Sequence, residues 1–180
     1  MAHALTQTSL FRTGSSMDYP VIIKGKEGYH YYLMRMSIVT TNQCHIGCLV
    51  SCPTTSVTTV EYSADGEMPI GIIPDTPFNI KQVQLGNAGS ALARTLTFKT
   101  GYLDVDVAVL LPGCIVSCLV AASNDLDISI AANANVEVGG TGYIKKFANG
   151  PVIGRALVYN TSGTGTDWVA VMWGAGMFAS

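Results

Sequence analysis

Charge is what this chain has least of. Only 12% of its 180 residues are Asp, Glu, Lys or Arg, about half the usual quarter. Much of the surface is therefore neutral Ser, Thr, Asn and Gly, or is covered by other subunits; both are expected. The formal net charge is −2. The ten basic residues lie singly or in twos, with Lys24/Lys26 and Lys145/Lys146 the densest pairs. Phosphate neutralisation needs clustered Lys and Arg, so a nucleic-acid partner is not expected. Long apolar runs are missing too. No segment reaches the roughly 18–20 apolar residues of a membrane helix. Residues 1–14 carry one Arg and lack the apolar core of a secretory signal. The expectation is a chain made in the cytoplasm with no membrane partner.

Recognisable catalytic patterns are also lacking. There is no G-x-S-x-G elbow and no H-E-x-x-H pair around the three histidines, His3, His30 and His45. Five cysteines, Cys44, Cys48, Cys52, Cys114 and Cys118, make an odd count without a secretory signal, which argues against a disulfide framework. Their C-x3-C spacing sits in IGCLVSC and PGCIVSC, which read as strand. Zinc sites usually show C-x2-C or C-x4-C with a second pair, and only His45 stands nearby. The reading is buried free thiols, with a metal site as the minor alternative. Neither metal nor cofactor is expected. Asp104/Asp106 and Asp125/Asp127 each share a strand face. Such pairs serve as acid and base, or hold Ca²⁺ through oxygen; the simpler reading is the solvent side of amphipathic strands. The glycine-rich stretches 139–142 and 163–165 read as hairpin turns, because no helix follows to cradle a phosphate. No enzyme and no small-molecule substrate are expected.

Helix periodicity is nearly absent as well; only residues 86–94 (GNAGSALAR) suit a short helix or turn. Strand signals fill the rest. Residues 103–109 alternate, placing Leu103, Val105, Val107 and Val109 on one face. Further strands are expected at 21–24, 31–39, 46–51, 57–62, 70–73, 79–85, 95–99, 115–121, 126–130, 136–138 and 143–147. Turn residues recur between them at intervals of about 8–12. The fold class is all-β, a small β-barrel or β-sandwich with little helix. A chain of this length buries roughly 70% of the surface its unfolded form exposes, so it needs no covalent staple.

Residues 1–18 break the rhythm and read either as a frayed end or as an extended N-terminal arm that orders against a neighbour, pinned by Leu10, Phe11 and Arg12. Residues 19–180 form the single β domain, with two related β-subdomains, about 20–85 and 94–178, as an open alternative. That alternative rests on an echo: residues 47–52 (GCLVSC) match 113–118 (GCIVSC) at five of six positions, each later followed by Ile-Gly, at 70–71 and 153–154. Recurrent β usage explains the echo equally well. At the other terminus Trp173, Met177 and Phe178 suit a subunit contact, since aromatics and Met are favoured there. Tyr29, Tyr31 and Tyr32 offer either a sugar platform or core packing, with Tyr29 and Tyr31 on one side and Met34 and Met36 on the other.

The most specific stretch is residues 150–172, GPVIGRALVYNTSGTGTDWVAVM. It reads as a closing β-hairpin, with Gly154 where a bulge or close backbone approach belongs. Together with VQLGNAG at 83–89, PGCIVSCLVA at 112–121 and the strand-turn-strand through 139–142, it resembles the head decoration (cement) proteins of tailed bacteriophages. The likeness covers the C-terminal half. It implies a non-enzymatic β protein, often a homotrimer, on the outer capsid surface of the virion. There it would bind the major capsid protein and staple the shell where subunits meet. The interface residues named above are carried over from no family motif. A second reading is a β-sandwich carbohydrate-binding module of a tail or fibre, using the tyrosines.

Overall fold

A computed structural model describes residues 21–39, 44–84, 97–98, 104–120, 130, 132–157 and 168–175. They are nearly all β, as expected, arranged as a small barrel beside an open sheet. The barrel closes in the order β2 (Tyr31–Ile38), β4 (Thr59–Tyr62), β3 (Leu49–Ser51), β5 (Gly71–Ile72) and β8 (Asp104–Leu110). The six-stranded sheet runs β1 (Ile22–Lys24), β9 (Ile115–Leu119), β13 (Trp168–Trp173), β12 (Gly154–Ala156), β10 (Asn135–Val138) and β11 (Ile144–Lys146). A two-stranded ribbon joins β6 (Val83–Gln84) to β7 (Thr97–Phe98). The expected arm and the strand at 126–129 lie outside the described residues.

One buried apolar cluster runs through barrel and sheet. Met36, Ile38, Val60, Val105 and Val107 belong to it on the barrel side, and Val116, Leu119, Val136, Ile153 and Val171 on the sheet side. The alternation expected along β8 holds for Val105 and Val107, then fails. Val109 is half-buried, and Ala108 and Leu110 are buried instead. Across the ladder Val109 pairs with the exposed Tyr32.

The strand expected at 79–85 is corrected. Residues Pro77–Gln82 form a helix, α1, and only Val83–Gln84 are strand. Thr76 caps it: its hydroxyl accepts the Asn79 N–H at 3.2 Å, and Pro77 takes the first helical position, where its missing N–H costs nothing. Buried Asn79 then docks the helix on β8. Its side-chain N–H groups donate to Pro74 O (2.7 Å) and Asp106 O (2.9 Å), while its oxygen accepts the Asp106 N–H at 2.8 Å.

The echo between 47–52 and 113–118 is structural. In each copy a turn closes onto the cysteine: Cys48 N–H to His45 O at 3.0 Å, Cys114 N–H to Leu111 O at 3.3 Å. Gly47 and Gly113 occupy the third turn position with φ of 83° and 91°, as a type II turn requires. Each turn then grips an antiparallel neighbour in the same way. Gly47 donates to Ile73 O and Ile73 donates to Cys48 O; Gly113 donates to Trp173 O and Trp173 donates to Cys114 O. The strand expected over 46–51 accordingly begins only at Leu49. The Ile-Gly half of the echo does not correspond: Gly71 pairs directly with Val50 of β3, whereas Gly154 lies on β12, one strand further from β9.

The closing hairpin is present as expected. β12 pairs antiparallel with β13, Gly154 opposite Trp173 and Ala156 opposite Val171. Gly154 is the site of close approach, because a Cβ there would run into the Met172 carbonyl oxygen.

Candidate interaction surface

The thiols fall into two places rather than one site: Cys48 lies beside Cys44 and the His45 backbone, and Cys118 near Cys114. Cys44, Cys48, Cys114 and Cys118 are buried, Cys52 is half-buried, and all five are free. Burial pushes the Cys114 thiol up to about 11 and raises Cys48 and Cys118 as well. Thiolate nucleophiles are thereby disfavoured. His45 Nδ1 lies 3.1 Å from Ile46 O, and its ring stacks on Tyr143 at 5.1 Å between centroids. Desolvation lowers its pKa to about 4. Among the described residues no group of three or more His, Cys, Asp or Glu is placed to hold a metal ion.

The carboxylates divide. Asp104 is exposed, as expected of a solvent face, and receives Ser37 Oγ–H at 3.1 Å. Asp106 is not a free surface group. Arg35 Nε donates to it at 2.8 Å, Thr76 Oγ1–H donates at 2.8 Å, and only 15% of its side chain is exposed. Asp125 and Asp127 lie outside the described residues. One carboxylate the sequence reading passed over is Glu137, which is 1% exposed. It accepts the N–H groups of Ala148, Asn149 and Gly150 at 2.7–3.2 Å, and Lys145 Nζ sits 3.3 Å away. Lys145 also reaches Asp65 at 2.7 Å, and that bond leads the causes that raise its pKa. All of these contacts are internal, so Glu137 ties the 148–150 turn to β10. A Glu flanked by Val in NVEV gives no hint of that in sequence.

Of the interface candidates, Leu10, Phe11, Arg12, Met177 and Phe178 lie outside the described residues. Trp173 ends β13 with 3% exposure, inside the core. Single exposed apolar side chains such as Val57, Met68 and Phe147 are scattered, but four gather on and just before β2. Tyr29 (69%), Tyr32 (49%), Leu33 (37%) and Met34 (49%) are all open to solvent, while Tyr31 packs part-buried against the core. This corrects the grouping of Tyr29 with Tyr31 on a core-facing side; Met34 and Met36 do share a face but differ in burial. Met36 is buried; Met34, two residues earlier on the same face, is not.

The cause is geometric. β2 is eight residues long, and β8 pairs with it from Tyr31 to Ser37. On its other side β4 joins only at Ser37 and Ile38. The first part of β2 therefore overhangs the barrel seam. Its single charge, the half-exposed Arg35, bonds Asp106 and lies over the Phe78 ring, 3.4 Å from the centroid. Beside it Tyr32, Leu33 and Met34 are open to solvent.

No protein-family model matches the chain, and no curated protein matches it. Among solved structures it is similar to the pre-mature bacteriophage phi29 gene product 12, with 13% sequence identity and a TM-score of 0.46. The similarity covers 83% of this chain and 22% of that one. The chain thus spans about a fifth of the length of the protein it matches.

Proposed function

We propose that this is a structural virion protein that works by contact, a decoration or cement protein bound to the outside of a tailed-phage capsid shell. The observation that carries the reading is the exposed apolar edge of β2, Tyr32 and Met34 on one face and Leu33 on the other, with Tyr29 just before it, on a chain with so few charges. Such an edge suits a protein partner. The sequence resemblance supplies the class of partner, the major capsid protein, and a trimeric state. Binding free energy comes from apolar area buried against several neighbours, and weak single contacts sum by multivalency. The protein performs no chemistry in this reading. The test is co-sedimentation with capsids emptied of DNA, comparing the full chain with one lacking residues 1–18. Saturable binding that falls at least ten-fold on Tyr32→Asp supports the edge, and weaker binding by the shortened chain supports the arm. Absence of capsid binding with affinity on a glycan array instead points to the carbohydrate module.

A further inference from the structure

We propose that the overhanging edge of β2 pairs with β2 of a second copy, antiparallel, about a two-fold axis through Met34. The hydrogen-bond directions along β2 define the edge. Ser37 and Val39 donate their N–H groups toward Thr58 and Val60, whereas His30 O accepts from Leu111 on the β8 side. Backbone groups alternate along a strand, so those of residues 31, 33, 35 and 37 point away from β8. Ser37 is taken by β4. Tyr31 is taken by its own turn, through a bridge to Glu27 and the Gly28 N–H on its carbonyl at 2.8 Å. Between them, Leu33 and Arg35 have no strand partner on that side among the described residues.

Four groups, two N–H and two C=O, are thus left in one short row. Antiparallel self-pairing centred on Met34 sets Leu33 opposite Arg35 of the second copy and the reverse. The four groups on each strand then satisfy one another in four hydrogen bonds, with none left over. A foreign peptide would need dedicated side-chain pockets for its register; the self-pair takes its register from the gap itself. The edge carries no proline and no bulge, and its one charge, the half-exposed Arg35, is paired with Asp106 and lies over Phe78. Across the axis Met34 meets Met34 of the second copy, and the two exposed Tyr32 rings flank them on the same face. Leu33 packs beside the Arg35 stem on the other. Few residues take part, fewer than the roughly 20–30 a side of a stable interface, so the isolated pair forms only at high concentration. This pairing deepens the assembly reading by naming one partner, yet it takes place in buffer without capsids.

Met34 and its mate form a non-hydrogen-bonded pair, whose Cα atoms lie about 4.5 Å apart, within disulfide range. The experiment uses the full chain. Met34→Cys, oxidised mildly at about 100 μM, is expected to give a dimer linked through position 34, and wild type under the same conditions is not. Light scattering of wild type is expected to show the mass doubling with concentration, to a dimer or to a hexamer where a trimer is the unit. Leu33→Pro removes an N–H that faces away from β8, so the ladder is spared; association is expected to weaken at least ten-fold with the β spectrum retained. Leu33→Ala keeps the N–H and changes association by less than three-fold. A mass that never doubles, a cross-link from position 34 only to Cys52, or equal losses for Pro and Ala would each overturn the two-fold pair. Failed capsid binding with the pair intact overturns only the capsid reading.

Discussion

At the scale of single residues, two positions carry constraints that their neighbours do not share. His45 is 4% exposed, and one ring nitrogen, Nε2, has no hydrogen-bond partner among the described residues. Burial costs the charged ring its hydration, so desolvation holds its pKa at about 4, below the usual 6.5. The unfolded chain therefore binds a proton at a pH where the folded chain does not. Stability is full above pH 6.5 and is lost as pH falls toward 4. The loss is on the order of 3 kcal/mol across that window. Urea melts at pH 7 and pH 4.5 check it: His45→Phe is expected to flatten the difference, because it titrates in neither state. Gly154 is constrained by space instead. A Cβ there meets the Met172 carbonyl oxygen, with Val171 Cγ1 at 2.8 Å, and neither backbone can retreat without parting β12 from β13. Gly154→Ala is expected to cost about 2 kcal/mol, read as a lower urea midpoint at unchanged m-value.

At the scale of elements, much was legible because period-2 patterning and turn residues are local signals. The alternation through Val105 and Val107 and the closing hairpin could be read directly. α1 could not, although its signals were present. Thr76-Pro77 is a cap followed by a first-position proline, yet the segment runs into the strand-like Val83-Gln84-Leu85, and six residues are too few for helical periodicity to show. What holds so short a helix is Asn79, whose amide meets both the N–H and the C=O of Asp106 and also the Pro74 carbonyl. Asn79→Ala leaves those buried backbone groups unpaired and opens a cavity. A loss of about 3 kcal/mol is expected. Asn79→Asp, which keeps the acceptor and removes both donors, should recover only part of it. Thermal melts of the three chains decide the order. The edge of β2 left unpaired among the described residues was illegible for a related reason. YYLMRM reads as a half-buried strand, and nothing local reveals that β4 stops two residues in. That depends on pairings between residues far apart in sequence.

At the scale of the whole molecule, the pairings that matter most cross the chain. β2 lies against β8 over residues 31–37 and 104–110, and β1 against β9. Barrel and sheet each draw strands from both halves of the chain, and one continuous cluster of buried side chains fills both. Sequence patterning gives the faces of strands, not their neighbours, so this arrangement was out of its reach. Shared strands and a shared core have a consequence for how the molecule opens. Neither layer can lose its packing without exposing the other, so the two should unfold as a single cooperative unit. The cysteines report on this without any added probe. Cys44 and Cys48 sit at the barrel turn that leads into β3, while Cys114 and Cys118 sit at the matching turn and strand of the sheet. Only Cys52 is part-exposed. With an aromatic disulfide reagent at pH 8, the native protein is expected to titrate at most one thiol within minutes, and the denatured protein all five. In intermediate urea the four protected thiols should then react with one common rate, set by the same opening. Two rates, with Cys44 and Cys48 separating from Cys114 and Cys118, would instead mean that barrel and sheet open independently despite the core they share.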